Sequence, residues 1–147
     1  IGSRLFEAPD FAMSFDWALH CSQTLEFVFR SSADETAKYK IYFHNGGAGQ
    51  LLLQEKVLQE FKYSPVSGSE FCYDRDREDR WSEVTLNNFL IIVYGENLAI
   101  FANGDFVLEF NELTLPGEAV FLRSKGGAIS KGDNFKFWNF SGMDFTQ

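Results

Sequence analysis

The chain is predicted to be an all-β protein built from two stacked antiparallel sheets. Three observations carry this expectation. Of 147 residues, 17% are aromatic and 17 are Phe, while Pro is held to 3. Aromatic side chains favour the pleated, half-buried surface of a strand. Apolar residues recur at every second position in segment after segment, the period of a strand with one buried face. The segments are short and are separated by turn signals, and Ala-, Leu- and Glu-rich helical blocks are missing.

Phe11-Ala12-Met13-Ser14-Phe15-Asp16-Trp17-Ala18-Leu19-His20 alternates over its whole length, with Phe11, Met13, Phe15, Trp17 and Leu19 on one face. Leu25 to Arg30 repeats the pattern with Leu25, Phe27 and Phe29 inward. A polar connection, Ser31 to Lys38, leads to a third strand, Tyr39 to His44, with Tyr39, Ile41 and Phe43 in phase. Asn45-Gly46-Gly47-Ala48-Gly49 reads as a turn, because Gly tolerates the positive φ of tight turns. Gln50 to Glu55 and Val57 to Tyr63 are read as two strands. They hold many good helix formers, and Leu51, Leu58 and Phe61 also suit a helix face. A lone helix would interrupt a run of hairpins, which favours strands.

Ser64 to Arg80 reads as a long polar loop. It contains Pro65, Gly68 and the run Asp74-Arg75-Asp76-Arg77-Glu78-Asp79-Arg80. A strand is expected from Trp81 to Leu86. Phe89 to Tyr94 is apolar on both faces, as in a central strand covered on two sides. After Gly95-Glu96-Asn97, Leu98 to Ala102 and Asp105 to Phe110 flank Asn103-Gly104, a strong short-range hairpin signal. Leu115-Pro116-Gly117 turns the chain again. Ala119 to Arg123 and Phe135 to Phe140 are the last strands, joined by a Gly-rich loop from Ser124 to Gly132. Phe15, Trp17, Phe27, Phe29, Ile41, Phe43, Ile91, Val93, Ile100 and Phe121 are expected between the sheets.

The length suits one domain able to bury roughly 70% of its unfolded surface, with no need of a metal or disulfide staple. Residues 1–147 are therefore read as a single β-sandwich domain. The opening Ile1-Gly2-Ser3 suggests that it is excised from a larger protein. The formal net charge of −8 argues against nucleic acid, whose phosphates need a basic surface, and against anionic lipid. No apolar run approaches the ~18 residues of a membrane-inserted span. Cys21 and Cys72 are the two cysteines; they form either one disulfide or two buried thiols.

The ordered segments Asp10 to Trp17, Phe27-Val28-Phe29-Arg30, Tyr39 to Phe43, Trp81-Ser82-Glu83-Val84, Leu90 to Tyr94, Leu98 to Gly104, Gly117 to Leu122 and Asp133 to Phe137 span nearly the whole chain. They resemble the concanavalin A-like jelly-roll superfamily. The resemblance is to its laminin-G-like branch, with the 3-keto-disaccharide hydrolase-like domains and the levan-binding type of carbohydrate-binding module. It implies a jelly-roll sandwich, an extracytoplasmic or secreted location, and one concave sheet that often carries ligands. Lectins, binding modules, hydrolases and adhesion domains share this superfamily, so the fold does not choose among them.

Catalytic constellations are sparse. Glycosidases of this kind carry paired carboxylates on one strand, and no such run occurs. Glu109 and Glu112 are split across opposite faces by their odd spacing. Only His20 and His44 could serve as a catalytic base, and no G-x-S-x-G nucleophile turn is present. The acids of 74–80 are interleaved with Arg, which opposes calcium binding. Gly46-Gly47-Ala48-Gly49 lacks the Lys and helix of a phosphate loop. No cofactor or metal is expected, and binding is favoured over catalysis. Arg30, Tyr42 and His44 fall in the phase opposite the aromatic core. On neighbouring strands they would bring a cation, a phenol and an imidazole together on the outer face of one sheet. Trp138 is out of phase with Phe135 and Phe137; either Trp138 faces out and adds a platform, or Phe135 and Phe137 face out instead. Such a set suits a sugar; the alternative is a solvated sheet face with cross-strand pairs. The expected function is a non-catalytic glycan-binding module, with a protein-interaction or adhesion domain as the alternative. A keto-glycoside hydrolase-like enzyme is the third reading. The partner is accordingly a carbohydrate or a protein.

Overall fold

The computed structural model describes residues 5–20, 24–66, 70–71, 85–125 and 131–140. These form twelve strands and no helix: β1 (Leu5–Glu7), β2 (Phe11–His20), β3 (Thr24–Ser31), β4 (Tyr39–His44), β5 (Ala48–Leu53), β6 (Lys56–Lys62), β7 (Glu70–Phe71), β8 (Asn87–Tyr94), β9 (Asn97–Ala102), β10 (Asp105–Phe110), β11 (Ala119–Lys125) and β12 (Lys131–Asn139). The first sheet has the order β1-β11-β3-β4-β5-β6. The second has the order β10-β9-β8-β2-β12, with β7 paired in parallel to β2. All other pairs are antiparallel.

The two-residue alternation of β2, β3, β4 and β8 turns one apolar face of each sheet towards the other. Phe11, Phe15, Phe27, Phe29, Phe43 and Phe89 are fully buried there, each contributing about 1.5–3 kcal/mol relative to exposure. Their rings interlock across the sandwich. Phe15 stacks on Phe27 at 6.0 Å, and Phe43 meets Phe89 at 4.2 Å. Nine of the ten expected core residues lie in this cluster. Phe121 does not. It is buried, but it pairs with Val28 on the outer face, and the alternation of β11 turns its neighbours Val120 and Leu122 into the core instead. The Phe121 ring lies on the outer face, 4.9 Å from the Arg123 guanidinium.

The Asn103-Gly104 hairpin closes as expected. Both residues have positive φ, 53° and 84°, the requirement of a type I′ turn. Residues 50–61 form the β5–β6 hairpin and not a helix. β1 escapes a sequence reading because three residues show no period. β5 begins at Ala48, and β12 begins at Lys131, earlier than the Phe-rich segment suggests. The loop expected over 64–80 contains β7; its residues 67–69 and 72–80, with Cys72, lie outside the described residues, as do Cys21 and 81–84 of the expected strand.

Candidate functional site

The outer face of the first sheet carries an ordered set of polar side chains that the core does not use. Its geometry follows from the register. Arg123 of β11 pairs with Glu26 of β3, Glu26 with Tyr42 of β4, Tyr42 with Gln50 of β5, and Gln50 with Glu60 of β6. One row thus crosses five strands. The next row holds Thr24 opposite His44, and Ala48 opposite Lys62. Side chains in the same row of adjacent strands stand about 4.5–5.5 Å apart at Cβ.

His44 is fixed at the end of β4. Its Nδ1 lies 2.7 Å from the Thr24 hydroxyl, the Tyr42 ring meets it edge-on at 6.0 Å, and the Tyr63 hydroxyl donates to its carbonyl at 2.6 Å. It opens onto a shallow cleft of about 320 Å³, lined also by Ala48, Gly49, Gln50, Glu60, Phe61 and Lys62. Gly49 is required in this wall. A Cβ there would stand 2.3–2.8 Å from atoms of the Phe61 ring.

Charges elsewhere on this face are tied to one another. Arg123 donates to Glu26 and, at 3.1 Å, to Glu35, which also accepts from Lys38 at 3.0 Å. The hydrogen bond from Lys38 holds the Glu35 carboxyl below its ordinary value, outweighing partial burial, with Arg123 adding to the effect. Lys40 donates to Glu55 at 2.9 Å, and its ammonium sits 5.3 Å from the Tyr42 ring centre. Burial pushes Lys40 down, but the bonds to Glu55 and Tyr42 prevail and leave it above the usual lysine value. The cleft therefore keeps the exposed Glu60 and Lys62 on β6, with Gln50 and His44 beside them on β5 and β4. Donors and acceptors alternate over a short distance, the pattern that hydroxyl groups of a neutral polyol satisfy. Glycosidic hydrolysis needs two carboxyls about 5–9.5 Å apart. Glu26 and Glu60 share a row but sit three strand spacings apart, about 14 Å at the backbone, and Glu26 is held the other way by Arg123. Among the described residues no three His, Cys, Asp or Glu side chains converge as a metal site.

The four residues singled out in the sequence separate. Tyr42 and His44 share the outer face of β4. Tyr42 is buried, so its ring supports His44 and offers no open platform. Arg30 does not join them. It adopts φ 48°, where β3 leaves its alternation at the bulge with β11, and its side chain is 7% exposed. Its Nε donates to Pro9 O at 3.0 Å, and its Nη2 donates to Asp10 Oδ1 at 3.0 Å and Gly95 O at 2.6 Å. Asp10 also accepts from the Gly95 amide at 2.8 Å. Arg30 thus fastens the first sheet to the β8–β9 turn of the second. Of the two alternatives for β12, Trp138 is the exposed residue and Phe135 and Phe137 pack against the core, but β12 belongs to the second sheet, so Trp138 is remote from Tyr42 and His44. Gln50, Glu60 and Lys62 were missed because the segment around them mixes helix and strand formers. The Asn45–Gly49 turn signal was the one hint that two strands meet there.

No protein-family model matches the chain, and no curated protein sequence does. Solved structures do share its fold. The carbohydrate-binding module CBM66 of Bacillus subtilis superposes with a TM-score of 0.63 at 12% identity, covering 94% of this chain and 83% of that one. Sheep galectin-11, solved with glycerol, gives 0.61 at 8% identity, covering 92% and 96%. A Bacillus subtilis protein of unknown function with a galectin-like fold gives 0.61 at 10% identity, covering 92% and 74%. The chain has the jelly-roll β-sandwich fold of these proteins.

Proposed function

We propose that the chain is a non-catalytic glycan-binding module of an extracytoplasmic protein, and that it holds its ligand in the cleft between His44 and Lys62. The observation that carries this is the alternation of Gln50, Glu60, Lys62 and the fixed His44 around one shallow opening. Two likenesses support it. One structural neighbour is named as a carbohydrate-binding module, and another was solved with glycerol, a small polyol. The finer affiliation with the laminin-G-like branch, and the reading of 1–147 as one domain of a larger protein, belong to the same proposal. The net charge of −8 directs the choice towards neutral or basic sugars and away from sulfated chains.

A few polar groups converging on a solvated surface give about −4 to −6 kcal/mol, a dissociation constant from high micromolar to millimolar. The test is an amide-resonance titration with neutral oligosaccharides, repeated on His44→Ala and Glu60→Gln. Shifts confined to β4, β5 and β6, weakened several-fold in both variants, are expected. Shifts that persist unchanged in both variants, or none with any sugar, would refute the assignment.

A further inference from the structure

We propose that the outer face of the second sheet is a self-association surface, occupied by the same face of a second copy of this chain. The face is apolar where a solvated sheet would be polar. Two rows cross it. Trp138, Ala12, Ile92, Ala99 and Glu109 form one, on β12, β2, β8, β9 and β10. Lys136, Ser14, Leu90, Phe101 and Phe106 form the other, in the same strand order. Phe106 is 55% exposed, Trp138 45% and Tyr94 42%, and these are three of the four large hydrophobic side chains that stand most in water among the described residues. Leu90, Ile92, Ala99 and Phe101 fill the middle, half-buried. The rim is polar: Asn88 and Asn134 donate to Asp16 at 2.8 and 2.7 Å, and Asn111 donates to Glu109 at 3.0 Å. An aliphatic centre with aromatic flanks and a hydrogen-bonded rim is the anatomy of a protein interface. Leu and Ile at the centre offer nothing to sugar hydroxyls.

Area and charge select a second copy. Five strands about 4.8 Å apart and seven residues long cover about 500 Å² as a flat sheet, and more once side-chain relief is counted. That approaches the ~600–800 Å² per partner of a modest specific interface, which gives a reversible dimer. β8 is the middle strand, so a two-fold axis along it places β12 of one copy over β10 of the other. Leu90 and Ile92 then meet their own counterparts. Lys136 faces Phe106 of the second copy and Trp138 faces its Glu109, twice over; Glu109 stands one row, about 7 Å along the strand, from Lys136, so opposite charges that sit on opposite edges of one sheet come within side-chain reach. The polar cleft of the first sheet stays open on both outer sides.

Sedimentation velocity of the chain without sugar, from about 5 to 500 µM, tests this. The expected mass rises from the 16.8 kDa of one chain towards twice that value. Ile92→Glu should weaken the dimer more than tenfold, with Phe106→Ser as the second variant should the first lose its melting transition. Lys136→Glu should weaken it and adding Glu109→Lys should restore it. A chain that remains at 16.8 kDa throughout overturns the proposal, as does a dimer that Phe106→Ser and Ile92→Glu leave unchanged. A single-chain species whose Ile92 and Phe101 amide resonances shift with an oligosaccharide would also overturn it, in favour of a glycan surface.

Discussion

Replacing Gly49 with Ala isolates the packing that shapes the cleft. Gly49 pairs with Phe43 on one side and with Phe61 on the other, and both neighbours project into the core. Its φ is not in the left-handed region, so the backbone itself accepts Ala. The cost is steric. The added methyl would stand 2.3, 2.4 and 2.8 Å from three carbons of the Phe61 ring, whereas carbon atoms rest about 3.5–4.0 Å apart. The ring must retreat by about 1 Å, yet it is wedged edge-on against Phe43 at 5.7 Å. Overpacking of this kind costs about 1–3 kcal/mol, and a domain of this size loses about 2–4 °C of melting temperature per kcal/mol. Urea unfolding followed by fluorescence should therefore show a lower midpoint with an unchanged slope. In a Phe61→Leu background the same substitution should cost less than about 0.5 kcal/mol, because its opponent is gone. A neutral Gly49→Ala, or an equal cost in both backgrounds, would refute the reasoning.

Two further outcomes are expected. Arg30→Gln breaks a charge-assisted set that joins the sheets and leaves Asp10 without its ion pair; a loss of about 2–3 kcal/mol of unfolding free energy is expected, less than a fully buried pair would cost because Asp10 is partly exposed. Oligosaccharide affinity should stay unchanged, and a several-fold loss of affinity in the folded variant would return Arg30 to the ligand site. For Glu35 the folded carboxyl lies below its ordinary value of 4.5, so its contribution is present above that pH and is lost as pH falls through the depressed value. Glu35→Gln should lower stability near neutrality and flatten the stability–pH curve below pH 4.5; parallel curves for the two proteins would show that the ion network contributes nothing.

Much of the fold was legible in the chain because period-two alternation reports burial directly. Phe11 to Leu19 and Tyr39 to Phe43 each needed one buried face, and a sheet is the only element that supplies it at that spacing. Asn103-Gly104 was equally legible, since a two-residue turn with positive φ at both positions suits few residue pairs. The site was legible only in part. Phase predicts which face a side chain takes, not which strand lies beside it or where a bulge resets the count. The bulge in β3 opposite β11 turned Arg30 into a fastener, and the unbroken apolar run Val120-Phe121-Leu122 hid which of its residues face the core. Strand order placed Trp138 on the second sheet, away from His44. Gln50, Glu60 and Lys62 met His44 only through the β4–β5–β6 register. The sequence by itself determined the faces, because burial acts locally on each strand. The tertiary structure alone decided the neighbours, because they arise from hydrogen-bonded pairing between segments far apart in the chain.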